Sequence, residues 1–393
     1  MAFHRRISIT AVLALAASVA TTGAAVAATA APLPASARAG VVASATPAAA
    51  FQGSLPAPTG RFAAGEDVVH LTDWRRPDPW VPSAGPRQLT VSMFYPAVAG
   101  TGTQAPYMTL AEAAGFIQYR VPAGTGITAQ ELSDVTTHAY DGARAVHGKY
   151  PLIVLSPGFE NPRTTLTSLA TELASHGYVV ALVGHTYEDS GETLANGQTP
   201  SCAICDGSSP TAPSPDQITA SRAKDVSFVI DQLTHGNCAW RLSELIDKHS
   251  VGMAGHSIGG AATVDTMLSD PRVLAGANLD GTFFPVPAAG RITRPYLMMS
   301  HGLQDPTWIQ TYANLGGYKR WLDVVGSNHA TFTDIPILAQ EVGLPAPSPI
   351  DPLRGATITR EYVTAFFDQS LKGIHQPLLD GPTPGNPDVL FED

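Results

Sequence analysis

Val251-Gly252-Met253-Ala254-Gly255-His256-Ser257-Ile258-Gly259-Gly260 is the stretch that decides the fold. Its first four residues read as a short buried strand, and an Ala-rich helix follows its last glycine. Between them lies G-x-S-x-G. A serine held clear of the backbone needs a sharp strand-to-helix turn, and glycines two before and two after it remove the crowding that side chains would bring. The Ile258 N–H then faces a developing oxyanion at the helix N-terminus. As a bare pattern, G-x-S-x-G can also be a Gly-rich packing turn; its place between strand and helix makes Ser257 a nucleophile candidate.

Outward from this turn, strands alternate with helices. Asp67 to Leu71 and Gln88 to Tyr95 read as an antiparallel pair. Leu152 to Leu155 is a short buried strand, followed by a helix from about Thr164 to Ser175 that ends at Gly177. Tyr178 to Val183 is the next strand, and a polar insertion runs from Glu188 to Pro215. A helix over Gln217 to Leu233 carries Val226, Val229, Ile230 and Leu233 on one face. Strands are expected at Ala275 to Leu279, Tyr296 to Met299 and Trp321 to Val325, and a last helix at Thr357 to Leu371. Short apolar strands alternating with helices imply a mostly parallel central sheet covered on both faces. With the nucleophile turn, this predicts the α/β-hydrolase fold.

A serine needs a base, and in this fold the acid and then the histidine follow it along the chain. Three histidines lie downstream. His375 falls beyond the last helix, in a tail. His301 closes a strand, near enough to be a loop histidine beside the site. His329, in Gly326-Ser327-Asn328-His329, follows the last expected strand and is the candidate base. Asp280 and Asp305 each follow a strand and either can supply the carboxylate; Asp270, before Pro271, is a weaker choice. Ser156-Pro157-Gly158-Phe159 is placed to give a second oxyanion donor, the Phe159 N–H.

The chain has 393 residues, 44% hydrophobic and 14% charged, with a formal net charge of -10. That composition supports a large core, and without a Lys/Arg block nucleic acid is excluded as a partner. His4-Arg5-Arg6, the apolar run Ile7 to Ala20 and Ala25-Val26-Ala27 read as a signal peptide over residues 1–27, hence export. The Arg pair permits the twin-arginine route, but its surroundings fit the general secretory route better. Residues 28–59 read as an Ala/Pro-rich leader and 60–393 as one catalytic domain. Cys202 and Cys205 lie in a loop, and a disulfide from Cys238 to one of them is expected. Neither a metal-ligand set nor a cofactor motif is present in the sequence pattern. Selectivity is expected in loops around Phe159, His185, Phe283, Phe284 and Trp308, with the 188–215 insertion as a lid or rim.

Taken with its other motifs, the chain resembles the secreted, plasma-type platelet-activating factor acetylhydrolases and their bacterial lipase-like relatives. The resemblance runs from about Gln88 to Asp334. It rests on Tyr150 through Phe159, Leu173 through Val180, Gly255 through Thr263, Leu279-Asp280-Gly281 and Asn328 through Asp334. It implies Asp280 as the acid, Phe159 and Ile258 as oxyanion donors, and hydrolysis of short or oxidised acyl esters of phospholipids without calcium. The partner implied is a small ester or lipid, with at most transient contact with a lipid surface. Pro157 stands where the vertebrate enzymes have His. That form is closer to cutinase-like polyester hydrolases, whose acid comes one strand later, on Asp305. Acyl transfer to an alcohol, or binding without catalysis, are the other functions such a scaffold supports.

Overall fold

The computed structural model describes residues 53–207, 209, 212–236, 238–302, 305–345 and 348–392. The proposed signal peptide and most of the proposed leader lie outside these residues. Gly53 to Thr59, assigned to the leader by composition, lie against the body: Leu55 is buried and its N–H donates to the Thr136 carbonyl.

The strands are β1 (Ala63–Pro77), β2 (Pro86–Ala97), β3 (Thr103–Gln104), β4 (Ala139–Asp141), β5 (Tyr150–Ser156), β6 (Val179–His185), β7 (Ile246–His256), β8 (Val273–Leu279), β9 (Tyr296–Ser300), β10 (Lys319–Val324) and β11 (Val389–Glu392). The helices are α1 (Leu110–Arg120), α2 (Ala129–Ser133), α3 (Thr167–Ser175), α4 (Pro215–Thr234), α5 (Ile258–Ser269), α6 (Pro306–Asn314), α7 (Ile335–Glu341) and α8 (Pro352–Lys372). All strands join one sheet in the order β11-β10-β9-β8-β7-β5-β6-β2-β1-β4-β3. From β10 to β6 the neighbours are parallel, and β2 then pairs antiparallel with both β6 and β1. This is the α/β-hydrolase architecture, with its antiparallel N-terminal pair.

The period of two along each strand sorts side chains onto opposite faces. Leu152 and Val154 of β5 enter one apolar cluster with Val226, Val229, Ile230 and Leu233 of α4 and with Ala262 and Val264 of α5. Ile153 and Leu155 enter the other, with Leu169 and Leu173 of α3 and Ile358, Val363, Phe366 and Phe367 of α8. Both faces are buried, so the strands read as continuous apolar runs. Helix ends follow local chemistry: Ser214 and Gln217 form a capping box on α4, and Gly373 ends α8 in the left-handed region at φ 67°.

Elements unforeseen in the sequence are short or lie on the rim: β3, β4, β11, α1, α2, α6 and α7. The disulfide expectation is corrected. Cys202 bonds Cys205 across a turn with a Cα–Cα distance of 5.7 Å, and Cys238 is free. Two cysteines three apart in a loop lie within ordinary disulfide reach of each other and need no distant partner.

Phe366 is fully buried on α8, its ring 5.2 Å from that of Phe367. Phe366→Ala is expected to cost about 3–5 kcal/mol of stability by urea denaturation.

Candidate active site

β7 lies between β5 and β8, and its C-terminal end carries Ser257 into the first turn of α5. Ser257 has φ 55° and ψ -126°, a conformation that costs an ordinary L-residue of order 1–3 kcal/mol. It persists because its neighbours hold it. The Ser257 N–H donates to the Leu279 carbonyl at 2.8 Å, and the Ala261 N–H returns to the Ser257 carbonyl at 3.0 Å. A Cβ on Gly259 would land on the Ser156 carbonyl, and one on Gly281 on the Ser257 carbonyl. Only glycine permits those approaches.

Asp280 follows β8 at φ 61°, and its N–H donates to the Met299 carbonyl at 2.8 Å. His329 opens a short 3-10 turn capped by the Asn328 side chain. The geometry brings Ser257, His329 and Asp280 into one line. Ser257 Oγ–H is placed to donate to His329 Nε2 at 2.9 Å, and His329 Nδ1–H to Asp280 Oδ2 at 2.5 Å. The Asp280 carboxylate is almost wholly enclosed, whereas the His329 ring is half-exposed. Burial alone would raise the Asp280 carboxyl, but hydrogen bonds from His301 and His329 outweigh it and hold it below its ordinary value.

Asp305 goes elsewhere. Its carboxylate caps α6, accepting from the Thr307 N–H at 2.8 Å. Asp270 pairs with Arg272, and His375 with Asp380 at the surface. The Ile258 N–H opens α5. Phe159 sits beyond Gly158, half-buried, and its N–H has no hydrogen-bond partner among the described residues. His256, just before the nucleophile, is buried and packs its ring 4.6 Å from that of His329, donating from Nε2 to the His329 carbonyl at 2.7 Å. Burial and the neighbouring His329 push its pKa down to about 3, so it is neutral and carries no charge into the site.

A second Ser–His–Asp set lies below the oxyanion loop. Ser156 Oγ is 2.9 Å from His185 Nε2, and His185 Nδ1 is 2.9 Å from Asp225 Oδ2. All three side chains are buried, so no substrate reaches Ser156. They belong to a network in which Arg76, Arg87 and Arg222 face Asp78, Glu188 and Asp225. Arg76 also pairs with Asp73 at the edge of the network, so three arginines meet four carboxylates. Burial with Arg222 nearby lowers the His185 pKa, keeping its ring neutral. Arg222 reaches the Pro157 carbonyl and Ser156 Oγ, while the Glu188 carbonyl accepts the Glu160 N–H at 2.9 Å. The network thus fixes both ends of the loop that carries Phe159.

His185, Phe283 and Trp308 mark loops in which the sequence places selectivity. All three are buried, the two aromatics with their rings 5.4 Å apart in the core. Phe159 and Phe284 are half-buried. The insertion begins as interior, not as a lid: Glu188, Asp189 and Glu192 are buried, and Glu192 pairs with Arg163. Sequence periodicity missed this cluster because a buried charge is invisible until its partner, often a hundred residues away, is known. Among the described residues, two groups have three metal-ligating atoms within 4.8 Å: Asp280, His301, His329 and His185, Glu188, Asp225. Arginines already occupy the carboxylates of the second, and histidine N–H groups those of the first.

Against known proteins, the family model for platelet-activating factor acetylhydrolase, isoform II, matches residues 77–201 and 224–377. A probable 1-alkyl-2-acetylglycerophosphocholine esterase of Arthroderma benhamiae is 28% identical over 380 residues, covering 86% of this chain and 94% of that protein. A platelet-activating factor acetylhydrolase of Bos taurus is 26% identical over 240 residues, 53% of this chain and 54% of its own length. A solved ferulic acid esterase from Streptomyces cinnamoneus superposes with a TM-score of 0.78 at 39% identity, covering 87% of this chain and 99% of that one.

Arg87→Met leaves Asp78, Glu188 and Asp225 short of one cation and is expected to cost about 3–5 kcal/mol in denaturant titration. Asp225 is held well below its ordinary range, because Arg87, His185 and Arg76 outweigh its burial. Its contribution is therefore complete above the unfolded carboxylate range, near pH ~4, and is lost as pH falls below it. In Arg87→Met that acid-side loss becomes shallower.

Proposed function

The chain belongs to the platelet-activating factor acetylhydrolase, isoform II, family, and on that footing we propose that it is an exported carboxylic ester hydrolase working through an acyl-enzyme on Ser257. The observation that carries the reading is the continuous Ser257–His329–Asp280 hydrogen-bond line at the mouth of the strained turn. Ser257 Oγ attacks the ester carbonyl as its proton passes to His329 Nε2. The oxyanion forms against the N–H groups of Phe159 and Ile258. Collapse expels the alcohol, which takes the proton from His329 and leaves an acyl-serine. Water then attacks with His329 as base, the carboxylic acid departs, and Ser257 regains its proton. Asp280 holds His329 in the tautomer with Nδ1 protonated and balances the imidazolium formed in each half-reaction.

The relatives support the choice of substrate class. The names of an acetylglycerophosphocholine esterase and a ferulic acid esterase both describe cleavage of carboxylic esters, one with a short acyl group and one with an aromatic acyl group. Hydrolysis of short-acyl esters is the leading reading. Feruloyl ester hydrolysis is the second, favoured by a solved relative that matches nearly end to end. Export is supported by the N-terminal basic and apolar pattern and by the Cys202–Cys205 disulfide, which persists in oxidising compartments.

Turnover of a p-nitrophenyl ester series and of methyl ferulate is expected to fall at least ~10³-fold in Ser257→Ala and by a similar factor in Asp280→Asn. Asp305→Ala loses a helix cap, about 1 kcal/mol of stability, and keeps its turnover within about twofold. Loss of activity with Asp305→Ala and retention with Asp280→Asn would reverse the assignment of the acid. No turnover of any ester by the wild-type chain would overturn the hydrolase reading.

A further inference from the structure

Asp280 has more partners than a triad requires. His301 Nδ1 lies 2.7 Å from Asp280 Oδ2, the oxygen that also takes His329 Nδ1–H at 2.5 Å. The His301 backbone N–H donates to Asp280 Oδ1 at 3.2 Å. The two imidazole rings meet edge to face, with centroids 6.3 Å apart. His301 follows β9, and its side chain is 24% exposed, open enough to exchange protons with solvent.

We propose that His301 is a positioning residue that clamps the Asp280 carboxylate and, on taking up a proton, draws the carboxylate's charge away from His329 and slows ester hydrolysis at acidic pH. The proposal rests on the Ser257–His329–Asp280 reading. The neutral ring donates from Nδ1 and fixes the orientation of the carboxylate. Protonation at Nε2 adds a full positive charge without breaking that bond. Asp280 must then face two cations whenever His329 carries the reaction's proton. The second charge opposes the first at a separation of about 6 Å, which near a protein surface is worth on the order of tenfold or more in rate.

The surroundings favour this titration. Asp280 faces His301 from the end of β8, and Asp323 from β10, where it accepts from Ser300 Oγ at 3.0 Å and from the Gly302 N–H. His329 is the facing group on the 3-10 turn. The Asp280 hydrogen bond raises the His301 pKa above its ordinary value, burial opposes it, and both carboxylates add to the rise. Protonation is therefore complete at acidic pH and is lost as pH rises past the neutral region.

The test is the pH dependence of kcat/KM on p-nitrophenyl acetate, followed by pH-stat from pH 4.5 to 9, for wild type, His301→Gln and His301→Ala. The wild-type acid limb is expected to fall through two ionisations. His301→Gln keeps an N–H for Asp280 but cannot become charged. Its limb is expected to fall through one ionisation, with about 3–10-fold more activity at pH 5.5 relative to its own plateau, and a plateau lowered no more than about threefold. His301→Ala loses the clamp as well, so its plateau kcat drops about tenfold with KM little changed. A His301→Gln limb that overlays the wild type would overturn the proposal. Nitrogen-15 NMR of the wild-type histidines tests it without any variant: the His329 resonances should move in step with the His301 titration, and independence would contradict it. Failure of the underlying reading is separate, since it would appear as full activity in Ser257→Ala.

Discussion

The backbone at Ser257 is the constraint on which the site depends. A serine at φ 55° survives only if the sheet around it leaves no alternative. Three parallel strands do this with main-chain atoms. Ser257 is tied to the end of β8, Asp280 to the end of β9, and Gly259 presses α5 onto the last carbonyls of β5. The same close approaches set the positions of Ser257, Asp280 and the loop carrying Phe159 together. Changing any of the contacting glycines would shift all three at once.

Below that layer, a cluster of arginines and carboxylates supports the loop that carries Phe159. Its worth is best understood as fixing geometry, since buried ion pairs rarely add net stability over a well-packed apolar core. Arg222 and Glu188 reach the loop from α4 and from the segment after β6, so the buried start of the insertion, Glu188 to Glu192, supports the site from beneath. His185 and Ser156 copy the hydrogen-bond pattern of a catalytic pair, yet their enclosure gives them a structural role. Accessibility separates the two Ser–His–Asp sets where distance alone does not: His329 is half open to solvent and His185 is sealed.

Much of this was legible in the sequence. Strand–helix alternation, the nucleophile turn and the order of Ser257, Asp280 and His329 are local or ordinal features, and periodicity and spacing report them directly. Residues alone left Asp280 and Asp305 equivalent, because both follow strands; what separates them is that one is enclosed beside His329 while the other caps a helix. The burial of His185, Phe283 and Trp308 depends on which distant segments pack together, which no local pattern encodes. His301 shows the same limit: its place after a strand was readable, but its sharing of Asp280 with His329 arises only when β8 and β9 lie side by side.

The central claim is that Ser257, among the described serines, is the one both activated and reachable. The most direct measurement is labelling of the folded protein with a fluorophosphonate, followed by intact-mass analysis and peptide mapping. One adduct per chain, on the peptide carrying Ser257 and absent in Ser257→Ala, is the result this account predicts. An adduct on Ser156, or an unlabelled protein that still hydrolyses esters, would contradict it.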